Sequence, residues 1–289
     1  MRHPRLTAAG SAELTAVGER AAASAAPAPL VAVAHGSKDP RAAATVSELL
    51  TAVRAQSPGL DVRAAFLDHC APALGQVLGA LEGAPAAVVP LLLTAAYHSK
   101  TDIPAQLAAA TAAHPGQQIS SAGTLGPHRL LLRALERRLR EAGVPLADAA
   151  ERAATSVVLA AAGSSDPAAN ATVAAFAARW ARERGWRTVV PGYASAAAPA
   201  PGEVVRALRA AGHENVVVAT YLLSPGYFAD KIRAASLEAG AAAVAPVLGA
   251  APEVAAVVLE RYAAAADSLA ALAAGNTEIG SRHAPARVR

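Results

Sequence analysis

Short apolar runs alternate with longer stretches of helical spacing along most of this chain. The first run, residues 30–34, ends at His35 and turns through Gly36 towards Asp39 and Pro40, residue types that start helices. Apolar positions then recur at helical spacing through residues 41–55. A buried strand followed by a helix of this length predicts a βαβ unit and therefore a parallel sheet.

The same alternation continues to about residue 273 and divides the chain into two halves. The predicted strands are residues 30–34, 62–67, 86–93 and 119–121 in the first half, and residues 156–161, 188–193, 215–223 and 242–247 in the second. The predicted helices of the second half are residues 167–184, 201–211, 227–239 and 252–273. Each half therefore predicts a four-stranded parallel sheet with helices on both faces.

An internal repeat supports this division. The turn after the first strand recurs 127 residues later, from Gly36 to Gly163. Ser37, Asp39 and Pro40 have counterparts in Ser164, Asp166 and Pro167. A repeat of half the chain length predicts two domains of similar fold. We place them at residues 30–143 and 156–274, and we expect the extensions at residues 1–29 and 275–289 to be disordered.

Composition narrows the classes of function. The chain is 54% hydrophobic but only 3% aromatic, which argues against stacking platforms for nucleic acid, and its net charge is only +4. It has no convincing membrane span, no apolar core like that of a signal peptide, and neither a G-x-G-x-x-G nor a Walker motif. The single cysteine suits a reducing compartment. These features predict a cytoplasmic protein that binds neither nucleotide, nucleic acid nor membrane.

Three predicted strand ends of the first half carry side chains that can bind a metal ion: His35, Asp68 and His98. Because the carboxyl ends of neighbouring parallel strands lie at one edge of a sheet, these side chains can face one crevice. Two imidazoles and a carboxylate suit a divalent cation such as Fe²⁺, Co²⁺, Ni²⁺ or Zn²⁺, and they leave coordination positions open for turnover. Asp68 can orient a histidine, bind the ion or offset its charge.

The second half has lost all three side chains but has kept the turns around them. The residues that align with His35, Asp68 and His98 are Ala162, Ser195 and Phe228. Because sites are lost separately from the folds that carry them, the joint loss favours a functional set in the first half. His69 and Cys70 adjoin Asp68, but consecutive strand-end residues point to different sides, so we expect at most one of them to join Asp68.

These motifs together resemble a known family, the sirohydrochlorin chelatases, which are the CbiX and SirB-type class II tetrapyrrole chelatases. The resemblance spans roughly residues 30–250 and covers both repeats. It rests on the His-Gly-Ser-x-Asp-Pro turn at residues 35–40, on the Phe-Leu-Asp motif followed by Pro72, and on the Pro-Leu-Leu-Leu, Tyr-His and Asp-Ile-Pro motifs between residues 90 and 104. The form with a second lobe that lacks the histidines resembles the long version of the family.

The resemblance implies a fold and an activity. The fold is two tandem flavodoxin-like, or chelatase-like, domains with a tetrapyrrole cleft between them. The activity is the insertion of Fe²⁺ or Co²⁺, as a substrate, into sirohydrochlorin without ATP, for sirohaem or cobalamin biosynthesis. The resemblance also implies that His35 and His98 hold the metal and accept pyrrole protons. The third family residue is commonly Glu, and this chain has Asp68 at the matching position.

The acidic side chains of sirohydrochlorin need cationic or N–H partners, and Ser37, Lys38 and Lys100 are the candidates. Two other functions remain open. A non-enzymatic divalent metal carrier would use the same His/Asp/His set without needing a tetrapyrrole cleft. A degenerate interaction module would have lost the set in both halves, whereas the first half keeps it. We expect a monomer or a homodimer.

Overall fold

Two parallel sheets of four strands organise the molecule. The computed structural model describes residues 27–95 and 101–281, with side chains up to residue 274. The strands are β1 (Leu30–Ala34), β2 (Val62–Phe66), β3 (Ala86–Pro90), β4 (Ile119–Ser121), β5 (Thr155–Ala161), β6 (Thr188–Tyr193), β7 (Asn215–Tyr221) and β8 (Ala243–Val244). Their order is β2-β1-β3-β4 in the first sheet and β6-β5-β7-β8 in the second. Every ladder is parallel, so the predicted fold class is confirmed.

Helices follow the strands in the predicted alternation. They are α1 (Pro40–Gln56), α2 (Leu74–Gly79), α3 (Ile103–Ala113), α4 (Arg129–Glu141), α5 (Ala149–Ala154), α6 (Pro167–Arg184), α7 (Pro201–Ala210), α8 (Tyr227–Glu238) and α9 (Pro252–Ser281). The repeated Asp-Pro pair starts α1 and α6 in the same way. In each case the aspartate, Asp39 or Asp166, caps the helix by accepting a hydrogen bond from a backbone N–H group.

Both faces of each sheet are covered, as near-continuous apolar strands require. Along β1, alternate residues point to opposite faces, and all five are buried. Val31 and Val33 pack with apolar residues of α2 and α3 in an outer core. Leu30 and Ala32 belong instead to a central core that also contains residues of β5, including Val157 and Leu159. One apolar core is therefore shared by the inner faces of both sheets.

The last helix of each half crosses to the other half. α4 packs against β7 of the second sheet, whereas α9 packs against β3 and β4 of the first sheet and against α1 and α4. Ala265 and Leu269 of α9 contact Ala87 of β3. Since each sheet is covered partly by a helix from the other half, the two lobes cannot separate without exposing apolar surface.

A buried carboxylate also joins the lobes. Glu136 of α4 has a side chain that is only 4% exposed. It accepts hydrogen bonds from Nε and Nη2 of Arg184, at 2.6 and 2.7 Å, and from the indole N–H of Trp180, at 3.1 Å. Both partners lie on α6, so this polar cluster fixes α4 against the second lobe.

The structure differs from the predicted elements mainly at their ends. β3 stops at Pro90 instead of residue 93, and α9 continues to Ser281 instead of residue 273. The segment between the two predicted domains, residues 144–155, contains α5, whose first turn is closed by a reciprocal capping pair between Asp148 and Glu151. Within the described residues, no helix is both long enough and apolar enough to cross a membrane.

Candidate functional site

His35 follows β1 directly and stands at the carboxyl edge of the first sheet, as predicted. Its Nδ1 lies 2.9 Å from the carbonyl oxygen of Gly36. A carbonyl oxygen only accepts hydrogen bonds, so this contact places the proton on Nδ1 and the imidazole lone pair on Nε2. The ring is therefore held in the tautomer that presents Nε2 as a ligand or a base.

The next residue, Gly36, has to be glycine because two chain segments meet there. Its φ is +91°, and a Cβ atom at this position would overlap the carbonyl oxygen of Asp68. Gly163 of the second lobe has the same constraint, with φ of +85° and the carbonyl oxygen of Ser195 in the way. The repeated glycines are therefore explained by backbone packing, whereas the histidine beside the first one is not required by the turn.

Asp68 meets His35 through the backbone. The N–H group of Asp68 donates to the carbonyl oxygen of His35 at 2.9 Å, so the ends of β1 and β2 are held together. The Asp68 side chain is 64% exposed. Its Oδ1 accepts a hydrogen bond of 2.7 Å from the backbone N–H of His69.

His69 lies beside these two residues. Its Nε2 lies 3.4 Å from Oδ2 of Asp68, and its ring centroid lies 6.2 Å from that of His35. The alternation of side chains along a strand does not apply here. β2 ends at Phe66, and His69 has φ of +61°, in the left-handed region. The repeat contained a usable signal, since the residue 127 positions after His69 is Ala196, another loss from the second half.

Two predicted site residues, His98 and Lys100, lie outside the described residues. Within residues 27–95 and 101–281, no group of three or more His, Cys, Asp or Glu side chains is arranged to hold a metal ion. The structure thus brings His35, Asp68 and His69 to one edge. The complete His35, Asp68 and His98 set stays a prediction.

A large cavity opens between the two lobes and has His35 in its wall. Its volume is about 560 Å³, and most of its lining is apolar. The first lobe contributes Ser37 and Phe66 among others, and the second contributes Tyr221 and Phe228. Both lobes present the carboxyl ends of their strands here, the position at which open α/β sheets bind ligands.

A second, smaller cavity lies on another side of His35. Its volume is about 290 Å³, and its lining includes Asp68, Asp102 and Gln106. His35 is the residue that lines both cavities. Within the part of the chain that the structure describes, this imidazole therefore stands between a large apolar space and a small polar one.

The other predicted ligand-binding residues of the first turn have different surroundings. Ser37 lines the large cavity, and its Oγ accepts a hydrogen bond of 3.0 Å from the N–H of Asp39. Lys38 is exposed, and it is not among the described residues that line either cavity. The part of Lys38 in binding stays a prediction.

The second lobe presents no metal-binding side chain at the equivalent places. Ala162 and Phe228 line the large cavity opposite the first lobe, and Ser195 is exposed in its turn. Tyr221 of β7 crosses between the lobes, and its hydroxyl donates to the carbonyl oxygen of Leu93 at 3.1 Å. Burial raises the pKa of Tyr221, so its phenol stays protonated as a donor.

Comparison with known proteins identifies the family. The profile of the CbiX family matches residues 29–142 and 156–265. The chain belongs to the CbiX family. The profile matches twice, once in each lobe. The internal repeat therefore extends over both lobes and is not confined to the turn motif.

Individual relatives of this CbiX-family chain are similar over part of their length. The chain is 31% identical over 146 residues to sirohydrochlorin ferrochelatase of Bacillus subtilis (strain 168). The aligned region covers 50% of this chain and 54% of the relative. It is 27% identical over 204 residues to sirohydrochlorin cobaltochelatase of Priestia megaterium, and this aligned region covers 69% of this chain and 65% of the relative. The chain thus spans less than two thirds of the length of these curated relatives.

Solved structures agree with the fold. SirB from Bacillus subtilis with Fe³⁺ superposes with a TM-score of 0.72 at 26% identity, covering 83% of this chain and 96% of SirB. The cobalt complex of the sirohydrochlorin chelatase SirB from Bacillus subtilis subspecies spizizenii gives a TM-score of 0.68 at 22% identity, with the same coverage. The two-lobe arrangement is therefore that of the chelatase structures.

Proposed function

We propose that this protein is a sirohydrochlorin chelatase that inserts Fe²⁺ or Co²⁺ into the tetrapyrrole without a nucleotide. The observation that carries this proposal is the position of His35 between the two cavities. A mostly apolar cleft suits the faces of a macrocycle, whereas a cavity with two carboxylates suits a hydrated cation. A side chain that takes part in metal transfer has to reach both the macrocycle in the large cavity and the cation in the small one.

The metal ion is a substrate in this proposal, and the protein supplies donors and bases. Metallation removes both inner N–H protons of the ring as the divalent ion arrives, and those protons need an acceptor. Nε2 of His35 can bind the ion or accept a proton, because Nδ1–H is held by the Gly36 carbonyl. Asp68 offsets positive charge beside it, and His98 is proposed as the second imidazole.

Three further findings support an enzyme over a simple carrier. The family match covers both lobes, the similar proteins are named as ferrochelatase and cobaltochelatase, and the cleft is formed jointly by both lobes. A carrier needs an ion site but no cleft of this size. The single cysteine supports a reducing compartment, the cytoplasm, as the place of the reaction.

The test is an anaerobic absorbance assay with sirohydrochlorin and either Fe²⁺ or Co²⁺. We expect the wild-type protein to accelerate metallation and His35→Ala to lower the rate about 10²–10⁴-fold, the usual effect of losing an acid–base group. His98→Ala should fall in the same range. Metal binding with no acceleration of metallation would support the carrier instead.

A matched pair of variants tests the assignment of chemistry to the first lobe. Asp68 and Ser195 occupy equivalent turns, with the same backbone hydrogen bond of 2.9 Å to the preceding strand end. We expect Asp68→Ala to slow metallation by at least about tenfold, as for residues that support metal ligands. Ser195→Ala should leave the rate unchanged. Equal losses in the two variants would contradict the assignment.

A further inference from the structure

An ion-pair network joins the two lobes beside the large cavity. Nη2 of Arg41 lies 2.6 Å from Oδ2 of Asp39 and 2.6 Å from Oδ2 of Asp230. Arg41 and Asp39 belong to the first lobe, whereas Asp230 lies in the first turn of α8 in the second lobe. One guanidinium therefore connects carboxylates of both lobes.

The network stands at the rim of the cavity. Arg41 directly precedes Ala42 and Ala43, which line the cavity from the first lobe. Asp230 directly follows Phe228 and Ala229, which line it from the second. Oδ2 of Asp39, which accepts from Arg41, stands 3.9 Å from the position that a Cβ atom of Gly226 would take, and Gly226 lines the cavity. The network therefore lies against the cavity wall, and the side chains of Arg41 and Asp230 are 51% and 60% exposed.

The described lining of the cavity offers no lysine or arginine to an acidic ligand. Among the described residues that line it, none is Arg or Lys. A tetrapyrrole that carries carboxylates on its edge would place its faces in this apolar space and its acidic edge at the rim. Arg41 is a cation whose side chain the structure holds by ion pairs beside the lining residues, whereas Lys38, next to the lining residue Ser37, is exposed.

The two carboxylate contacts of Arg41 differ in kind. Asp39 caps α1 by accepting from the Arg41 backbone N–H at 2.9 Å, and its oxygens also accept from Nε at 3.1 Å. This double contact fixes the guanidinium on its own helix. The contact with Asp230 joins two exposed side chains, a kind of ion pair that contributes little stability and is easily exchanged.

The repeat shows that the first lobe alone carries cations at these positions. At the offset that aligns Gly36 with Gly163, Arg41 aligns with Ala168 and Lys38 with Ser165. At the offset that aligns His98 with Phe228, Lys100 aligns with Asp230. An acidic edge would therefore be attracted to the first lobe, the lobe that carries His35.

We propose that Arg41 binds a peripheral carboxylate of the tetrapyrrole and that Asp230 occupies the same guanidinium edge when the cleft is empty. The inference rests on the proposed function and adds a residue that determines substrate binding. The planar guanidinium matches a carboxylate in a bidentate contact. Asp39 keeps the guanidinium in place while the substrate carboxylate replaces Asp230.

The test compares Arg41→Gln, Asp230→Asn and the control Arg63→Gln. Arg63 makes an ion pair of 2.8 Å with Asp61 in the same lobe, and neither residue lines a cavity among the described residues. Sirohydrochlorin is titrated into each protein without metal, and the change in its absorbance gives Kd. Steady-state metallation with saturating Co²⁺ then gives kcat and KM separately.

Arg41→Gln should raise Kd and KM about tenfold, a change of about 1.4 kcal/mol, with kcat within about twofold of wild type. Asp230→Asn should lower Kd, because a competing carboxylate is gone. The wild-type Kd should rise with salt, and this dependence should be weaker in Arg41→Gln. Arg63→Gln should behave as wild type.

The two levels of inference fail in different ways. Wild-type protein that binds no sirohydrochlorin would overturn the proposed function and, with it, the assignment of Arg41. Normal wild-type metallation with an unchanged Kd in Arg41→Gln would overturn the Arg41 assignment alone. Equally weakened binding in Arg41→Gln and Asp230→Asn would mean that the ion pair acts by holding the two lobes together. That result would also overturn the assignment of Arg41.

Discussion

At the scale of single residues, the two lobes form a natural comparison in which the backbone is constant and the side chains differ. His69 and Ala196 both have positive φ, 61° and 57°. The glycines beside His35 and Ala162 agree within a few degrees. The difference in chemistry between the lobes therefore lies in the side chains and not in the backbone that carries them.

The contact of His69 with Asp68 gives the first prediction. His69→Asn keeps a residue type that tolerates the left-handed region and removes the imidazole beside Asp68. We expect the Kd for Co²⁺ to rise about tenfold or more, the effect of losing a group that orients a metal ligand. Isothermal titration with Co²⁺ measures this change.

The matched control is Ala196→Asn, at the equivalent position of the second lobe. It introduces the same side chain into nearly the same backbone conformation, so it shares any effect of the substitution on the turn. It should leave the Kd for Co²⁺ unchanged. Unaltered Co²⁺ affinity in His69→Asn would exclude His69 from the site.

The sequence could predict that His35 and Asp68 lie at one edge of the sheet, because each stands where an apolar run ends. Their assignment as site residues, which rests on their loss from the repeat, stays a prediction. The sequence did not indicate the position of the His69 side chain, because alternation along a strand says nothing about a turn. The direction of that side chain depends on a positive φ angle, in a turn that packs against Gly36 from a distant part of the chain.

At the scale of elements, the strand-end turn is the unit that the two lobes share, and it gives the second prediction. Gly36→Ala and Gly163→Ala each place a Cβ against a carbonyl oxygen at positive φ. We expect each to lower the free energy of unfolding by about 1–3 kcal/mol. Urea denaturation measures both variants under the same conditions.

The same two glycine variants distinguish an effect on stability from an effect on the metallation rate. Gly36→Ala displaces the contact between the ends of β1 and β2 that carry His35 and Asp68, so metallation should also slow in the folded protein. Gly163→Ala should keep its rate per folded molecule. A variant of the second lobe that loses activity as fully as Gly36→Ala would show that the second turn also takes part in the reaction.

The contact between α4 and α9 gives the third prediction, which concerns pH. Arg137 of α4 donates to both carboxylate oxygens of Glu253 in α9, at 2.7–3.1 Å. Burial, the largest single influence, would raise the pKa of Glu253, but the hydrogen bonds and the charges of Arg137 and Arg138 outweigh it and lower the pKa. The folded protein therefore favours the ionised form.

A lowered pKa in the folded state stabilises the protein above the unfolded pKa of about 4.3, and this stability is lost as pH falls through the folded value. Glu253→Gln should therefore be less stable than wild type at pH 7, by less than about 1 kcal/mol because Arg137 is partly exposed. The difference should shrink as the pH falls below about 4.3. Urea midpoints from pH 7 to pH 3 test this, with Glu141→Gln on α4 as the control. A difference that persists unchanged at pH 3 would contradict it.

Element order and type followed from the sequence because most strands are short and largely apolar, and because α1 and α6 begin at recognisable Asp-Pro caps. The sequence did not predict which element each helix packs against. An apolar stripe states that a face is buried but not against what, so the crossing of α4 and α9 to opposite lobes could not be read from periodicity. α5 was missed because it buries no residue, and only its Asp148–Glu151 capping pair marks it.

At the scale of the whole molecule, the crossed helices and the shared core make the two lobes one folding unit. Residues of both sheets belong to a single apolar core, and Glu136 of α4 is buried against Trp180 and Arg184 of α6. Next to this shared core, the two walls of the cleft are therefore held at a fixed spacing. Beside the cleft, Arg41 and Asp230 join the two lobes through exposed side chains.

The last prediction is a single cooperative unfolding transition. The two tryptophans of the chain, Trp180 and Trp186, both lie in the second half, so fluorescence reports on that lobe while far-UV circular dichroism reports on both. We expect the two signals to give the same midpoint in urea. Independent lobes would instead give a circular dichroism curve with a second step that fluorescence does not follow.

Glu136→Ala makes this test sharper because it removes the polar cluster between α4 and α6. Breaking a buried ion pair costs about 3–5 kcal/mol, and the partial exposure of Arg184 should reduce the loss to about 2 kcal/mol. Because α4 belongs to the first half and α6 to the second, both signals should shift together by the same amount. Glu183→Ala, which removes an exposed pair with Arg179 on α6, should shift neither by more than about 0.5 kcal/mol. A shift confined to fluorescence in Glu136→Ala would mean that the lobes unfold separately despite their shared core.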